Sequence, residues 1–296
     1  MSPERLDVAL TAAGLARSRS HARRIIDEGR VRLDGRPAPK PSTPVPAAAL
    51  LQVVDVPDGV EYASRAAHKL QGAMGTLGLD PAGARCLDAG ASTGGFTDVL
   101  LRRGADSVIA VDIGHDQLVE HVARDPRVSV RDGTSVRDLT PELVGGIVDL
   151  LVADLSFISL RTVIAPLASV VRPGGDLLIM VKPQFEVGRA ALPRTGVVTD
   201  PAARIAAVTG VAGAAVGAGL ALHGVGPSAL PGQDGNREYF LHLRPTGVTC
   251  TMDEVACDMI GDAVHENRPR LREIPTDTPS TTADAPADAP TDDQED

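Results

Sequence analysis

Four ionisable side chains stand at points where an α/β sheet would bring them together: Lys69 in YASRAAHKL, Asp154 in ADLSFISL, Lys182 in LLIMVKPQFE and Glu238 in NREYFLHL. Asp154 and Lys182 each follow an apolar run of strand length, and open α/β sheets bind ligands at the carboxyl ends of their strands. Lys69 lies just before the first such run, and Glu238 heads the last. An amine beside a carboxylate can take or steer a proton and can hold charge that develops on an oxygen. Taken singly, a lysine at a strand end is ordinarily solvated and Glu238 reads as a strand-edge charge. It is the set of four that points to chemistry.

A glycine-rich turn lies in CLDAGASTGGFTDVLLRRGADSVIAVDIG. A strand ends near Leu87, Gly90, Gly94 and Gly95 let the backbone turn close to a ligand, and a helix starts near Phe96. A second strand leads to Asp112, placed to accept hydrogen bonds from ribose hydroxyls. Asp132-Gly133 follows the third strand; in the methyltransferase class that this series of acids resembles, the third acid lies near the adenine. The run Gly90-Ala91-Ser92-Thr93-Gly94-Gly95 lacks the middle glycine of GxGxxG, and Asp88 puts negative charge where a pyrophosphate would sit. That disfavours an NAD(P)-dependent oxidoreductase and suits a cationic, phosphate-free ligand, S-adenosylmethionine. Asp88, Gly90, Ser92, Gly94, Gly95, Phe96, Asp112, Asp132, Gly133 and Asp154 are the candidate cofactor residues. Asp154-Leu155-Ser156-Phe157 stands where base-amine methylases often carry Asn/Asp-Pro-Pro-aromatic, so a hydroxyl acceptor is favoured over an amine.

The elements that hold these groups follow from periodicity. Strands ending at Leu87, Val111, Val130, Ala153 and Val181 alternate with helical stretches, which predicts an α/β fold with a Rossmann-like, mostly parallel sheet. Ahead of it lies a small α/β module. Leu6, Ala9 and Leu10 give a short helix closed by Gly14. A second helix is capped by Ser18 or Ser20, faces inward through Ala22, Ile25 and Ile26, and stops at Gly29. Val31-Arg32-Leu33 enters an Asp34-Gly35 hairpin, residues 37–46 read as a Pro-rich loop, and residues 50–56 read as a strand. Arg17, Arg19, Arg23, Arg24, Arg30, Arg32, Arg36 and Lys40 crowd this module, with Arg23 and Arg24 expected to face phosphates. The boundaries are 1–59 for the module, 60–63 for a linker, 64–250 for the catalytic domain and 251–273 for an extension. Residues 274–296 form an acidic, Pro/Ala/Thr-rich tail expected to be disordered.

The net charge of −10 argues at first against a polyanionic partner. Eight of the acids lie in residues 273–296, leaving −2 for the rest, and residues 1–45 carry nine Lys/Arg against five Asp/Glu. The N-terminal surplus is therefore the informative part. Aromatics make up 2% of the chain with no Trp, so the core rests on aliphatic residues and base stacking has few rings to use. Three cysteines, Cys86, Cys250 and Cys257, lack metal-site or disulfide spacing, and no signal peptide is visible. A cytoplasmic monomer without metal or stable membrane association is expected. Residues 205–222 run without a charge and contain Gly213 and Gly217, so a membrane span is weighed. Their Ala/Gly content and the Asp200-Pro201 start favour a buried helix.

The segment SRSHARRIIDEGRVRLDGRPAPKPSTPV resembles the RNA-binding domain of the ribosomal protein S-four family. The Lys-Asp-Lys-Glu set resembles the tetrad of FtsJ-like 2′-O-ribose methyltransferases. Over residues 3–245 the chain resembles the TlyA family, which joins the two: SRAAHKL, LDAGASTGGFTDVLL, ADLSFISL, VKPQFEVGR and GNREYF match its motifs in order, departing at Ala66-Ala67, where a Gly pair is common. The resemblance implies an S-adenosylmethionine-dependent class I methyltransferase acting on cytidine ribose in 16S and 23S rRNA or ribosomal subunits. It also implies that Lys182 takes or steers the 2′-hydroxyl proton. Lys69 as a neighbouring cation, and desolvation by RNA, would favour release of the Lys182 proton; Asp154 opposes it, in which case Lys182 orients and stabilises charge. The rival readings are a non-catalytic RNA-binding protein and a membrane-active haemolysin.

Overall fold

The structure, a computed structural model, describes residues 4–54, 61–246 and 252–272. The tail expected to be disordered lies outside the described residues.

The N-terminal module has its own core. Leu6, Leu10, Ala22, Ile25, Ile26 and Val31 are buried together from α1 (Leu6–Ala12), α2 (Arg19–Asp27) and β2 (Val31–Leu33). Ser18 caps α2, its Oγ accepting from the His21 amide at 3.1 Å, which satisfies one of the otherwise orphaned first-turn donors. Asp34 and Gly35 both have positive φ, 51° and 76°, as the turn between β2 and β3 (Arg36–Pro37) requires. The Pro-rich stretch is not wholly loop. β1 (Glu4–Arg5) pairs antiparallel with β4 (Pro44–Val45); two-residue strands are too short to show alternation, so the pattern gave no sign of them. The last strand, β5 (Leu51–Val53), pairs with β2; residues 55–56 of the expected strand lie outside the described residues.

Among the described residues the catalytic domain is built on an eight-stranded sheet, to which the 251–273 extension contributes its last strand. In chain order its elements are α3 (Ala66–Leu77), β6 (Arg85–Ala89), α4 (Gly95–Arg102), β7 (Ser107–Val111), α5 (Glu120–Ala123), β8 (Val128–Arg131), β9 (Val148–Ala153), α6 (Ile164–Ser169), β10 (Val171–Val181), α7 (Pro183–Glu186), α8 (Pro201–Gly217), β11 (Leu220–Pro227), β12 (Tyr239–Pro245), α9 (Glu254–Glu266) and β13 (Arg270–Leu271). The strand order is β13-β11-β12-β10-β9-β6-β7-β8. Strands β6 to β10 are mutually parallel, while β12 lies antiparallel to both β10 and β11. The chain builds outward from β6 to β8, then crosses back to β9 beside β6. That reversal opens a crevice at the carboxyl ends of β6 and β9, where this architecture binds ligands.

Each face of the sheet is covered. Leu70, Met74, Val99 and Leu100 of α3 and α4 bury one face; Leu167, Val208, Val211, Ala212 and Ile260 bury the other. The uncharged stretch divides between α8 and β11, and Asp200 caps α8 by accepting from the amides of Ala202 and Ala203. No helix among the described residues is long and apolar enough to cross a membrane. Small residues in α8 have a packing cause: a Cβ on Gly210 would fall 2.4 Å from the Arg161 guanidinium, which lies across the helix.

Candidate active site

The turn after β6 is shaped by close approach. A Cβ on Gly90 would fall 2.8 Å from the Asp154 carbonyl oxygen, so the residue lets the β6 and β9 ends touch. A Cβ on Gly95 would fall 2.2 Å from Ser64 Oγ and 3.2 Å from the Ala67 amide nitrogen. Gly95 is thus the seat on which the SRAAHKL segment rests, and this carries α3 and Lys69 to the crevice. Ser92 takes positive φ (46°), its amide donating to Asp112 Oδ2 at 2.8 Å. Asp112 Oδ1 accepts from the Gly114 amide at 2.7 Å, so this carboxylate ties the glycine turn to the loop after β7.

Asp88 lies beneath the turn, fully buried, accepting from Thr97 Oγ1 at 2.7 Å through one oxygen. Its other oxygen has no hydrogen-bond partner. Burial, reinforced by the charges of Asp154 and Asp112, pushes its carboxyl up to about 7.

Two ion pairs complete the crevice. Lys182 Nζ stands 2.6 Å from Asp154 Oδ1 and donates to Ser156 Oγ at 2.8 Å. Lys69 Nζ donates to Glu238 Oε2 at 2.5 Å, both side chains buried. The charge of Lys69 is therefore paired with Glu238, and that of Lys182 with Asp154. Glu186 holds the two strand-end loops in register: its Oε1 accepts from the Leu160 amide and its Oε2 from Ser159 Oγ, both at 2.7 Å. Burial raises the Glu186 carboxyl above its ordinary value. Asn236 does the same for the segment before Glu238, accepting from the Val198 amide and donating to the Gly196 carbonyl, each at 2.9 Å.

Two adjacent spaces result, which share part of their lining. A cavity of about 170 Å³ under the turn is lined by Gly90, Ser92, Gly95, Phe96, Asp154, Ser156 and Lys182, among others. A wide cleft of about 1240 Å³ lies above it, with Lys69, Lys182 and Glu238 on one side and Arg17, Arg23 and Arg24 of the module on the other. Ser64, Ala66, Thr93, Ser156 and Lys182 line both and form the collar between them.

Two families match this chain: FtsJ-like methyltransferase over residues 62–245 and S4 domain over residues 4–49. The 16S/23S rRNA (cytidine-2′-O)-methyltransferase TlyA of Mycobacterium tuberculosis is 49% identical, across 88% of this chain and 96% of that protein. The chain belongs to the TlyA family of FtsJ-like methyltransferases. Hemolysin A of Brachyspira hyodysenteriae, 34% identical across 81% of this chain and 99% of its own, is another relative. A solved structure of a Streptococcus thermophilus protein with a hemolysin-type name covers 90% of this chain and 96% of its own at 32% identity, with TM-score 0.70. Family membership sets aside the oxidoreductase reading.

Of the candidate cofactor residues, Gly90, Ser92, Gly95, Phe96 and Asp154 line the small cavity; Asp88, Gly94, Asp112, Asp132 and Gly133 line neither space. Gly94 faces protein, since its Cβ would fall 2.8 Å from Leu118 Cδ2. Asp132 accepts from the Asp116 amide at 2.8 Å, and the space beside Gly133 is taken by the His115 ring. Of the eight basic residues, Arg17, Arg23 and Arg24 reach the cleft, while Arg19, Arg30, Arg32, Arg36 and Lys40 do not line it. Arg24 is half-buried and does not point freely outward, because Glu28 and Glu61 hold it at 3.9 and 3.4 Å. Arg23 and Arg19 lean on the buried Asp7 at 3.5 and 3.2 Å. Sequence reasoning missed Ser156, Glu186, Asn236 and Phe157. Phe157 is 91% exposed at the cleft, with positive φ (63°), and its ring centroid lies 5.2 Å from that of Phe185. Its signal was present: an aromatic three residues after a strand-end acid, in a chain with few aromatics.

Proposed function

We propose that this chain transfers a methyl group from S-adenosylmethionine to the 2′-hydroxyl of cytidine in 16S and 23S rRNA, in the cytoplasm. The observation that carries the reading is the collar: Lys182 and Ser156 stand where a small cavity adjoins a cleft faced by arginines of the RNA-binding module. The names of the M. tuberculosis relatives supply the nucleotide and the two rRNAs.

The cavity suits a cationic ligand. Asp88, Asp112 and Asp154 lie close enough that the latter two help to raise Asp88, and one buried oxygen of Asp88 is unpartnered. Positive charge nearby would relieve that accumulation. When bound, S-adenosylmethionine supplies an electrophilic methyl carbon. Gly90, Ser92, Gly95 and Phe96 would hold it, and Asp112, which lines neither space, would act through the Ser92 amide that it anchors. Asp132 and Gly133 act through the loop walls near the adenine.

The chain's own residues prepare the acceptor. Asp154 and Ser156 fix the Lys182 ammonium at the collar, where it holds the 2′-oxygen and manages its proton. Lys69 and Glu238 form the neighbouring wall and keep water from the acceptor. Arg17, Arg23 and Arg24 meet RNA phosphates along the cleft, with Arg19, Arg30, Arg32, Arg36 and Lys40 extending the basic surface. Phe157 offers its exposed ring to the target base; a stacked base contributes about 1–3 kcal/mol. Mass-spectrometric mapping of rRNA from cells with and without the gene tests the reading: 2′-O-methylcytidine that depends on the gene supports it, and identical maps refute it.

A further inference from the structure

Resting on that reading, we infer that Ser156 is a positioning residue of the methyl-transfer step, acting through Lys182. An ammonium has three N–H donors in a tripod. In this structure one is given to Ser156 Oγ at 2.8 Å, while Asp154 Oδ1, 2.6 Å away, pairs with the charge without accepting a hydrogen bond. The remaining donors are left for a ligand, and the ammonium lies on the collar shared by cavity and cleft. The Ser156 hydrogen bond is thus the directional restraint on the ammonium, and the Asp154 charge a non-directional one. With Asp154 alone the ammonium could rotate about a single contact, and a flexible four-carbon stem would let it wander.

Ser156 is itself exposed and sits one residue before the positive-φ Phe157. It lies in the loop that Glu186 ties to α7 through Ser159 and Leu160. Its hydroxyl therefore has a backed position, and its removal opens no buried cavity. No covalent step is assigned to Ser156; with Lys182 charged the 2′-hydroxyl proton passes to solvent, and only a lysine that has first given up a proton of its own could take it.

The test is a double-mutant cycle on the full-length enzyme with ribosomal subunits, measured in single turnover at saturating S-adenosylmethionine. Ser156→Ala is expected to slow methyl transfer about tenfold, the effect of removing one hydrogen bond to a charged group, with the Kd values for cofactor and rRNA within about twofold of wild type. Ser156→Thr is expected to recover most of the rate. In a Lys182→Ala background, Ser156→Ala is expected to change nothing further. Independently of activity, acetic anhydride labelling of Lys182 in the ligand-free protein, followed by mass spectrometry, is expected to rise severalfold in Ser156→Ala. A wild-type rate for Ser156→Ala, with Lys182→Ala inactive, overturns this inference alone. Equal rate reductions in both backgrounds, or unchanged labelling, also overturn it. A wild-type rate for Lys182→Ala overturns the functional reading and this inference with it.

Discussion

The Lys69 ammonium lies 2.5 Å from the Glu238 carboxylate, although the two residues are 169 positions apart in sequence. Both are buried, so the pair joins α3 to the head of β12 across the active-site wall. Removing one partner of such a pair leaves an uncompensated buried charge and costs on the order of 3–5 kcal/mol. Lys69→Ala is therefore expected to lower stability as well as activity. Lys69→Met with Glu238→Gln should recover most of the stability while methyl transfer remains impaired. Urea unfolding beside single-turnover rates separates the two; full activity in the stable double variant would limit the pair to a structural role.

Gly95 gives a test of how the SRAAHKL segment is seated. Gly95→Ala forces a Cβ against Ser64 Oγ, and overpacking of this kind costs about 1–3 kcal/mol. Ser64→Ala in the same chain removes the closest atom and is expected to restore part of the melting temperature. Additive destabilisation in the double variant would contradict this seating.

Asp88 sets a pH dependence. Its folded carboxyl is raised to about 7 against an ordinary value of 3.8, mainly by burial. The folded chain thus keeps a proton that the unfolded chain has released. This contribution to stability is complete below about pH 4 and is lost as pH rises through about 7. Asp88→Asn stays neutral throughout and can still accept from Thr97. Its stability relative to wild type is expected to increase from about pH 4 to about pH 7 and then level off. Chemical unfolding across that range checks it, and a difference independent of pH would show that Asp88 does not titrate there.

Arg17 and Arg23 are exposed on the cleft wall. Replacing both by alanine is expected to weaken rRNA binding and to reduce the slope of log K against log salt by about one for each phosphate no longer neutralised. Cofactor affinity should not move. An unchanged slope would make these arginines structural partners of Glu61 and Asp7 alone.

Most of the catalytic domain was legible because its strands are long apolar runs and its turns carry glycine. Asp154 and Lys182 could be placed at strand ends from that pattern alone. What was not legible depends on pairing across the chain. Gly94 reads like Gly90 and Gly95 in sequence, yet it packs on Leu118 and Val122. Arg24 reads as a phosphate ligand beside Arg23, yet one step around the helix turns it toward Glu28 and Glu61. Lys69 and Lys182 read as two neighbouring cations, but each meets its own carboxylate. Periodicity tells which face a residue occupies; it does not tell which distant side chain waits there.

The central claim is that Lys182 at the collar serves methyl transfer to an RNA ribose. The most direct measurement is transfer from S-adenosylmethionine carrying a labelled methyl group to unmodified ribosomal subunits, followed by nuclease digestion and mass spectrometry. The wild-type chain is expected to leave the label on the 2′-oxygen of cytidine. Lys182→Ala is expected to bind both partners and lose on the order of a hundredfold or more in rate. Lys182→Arg then assigns the role: near-complete loss if the lysine must surrender its proton, substantial recovery if a fixed cation suffices. Label on a base, or a Lys182→Ala enzyme as fast as wild type, would contradict the account.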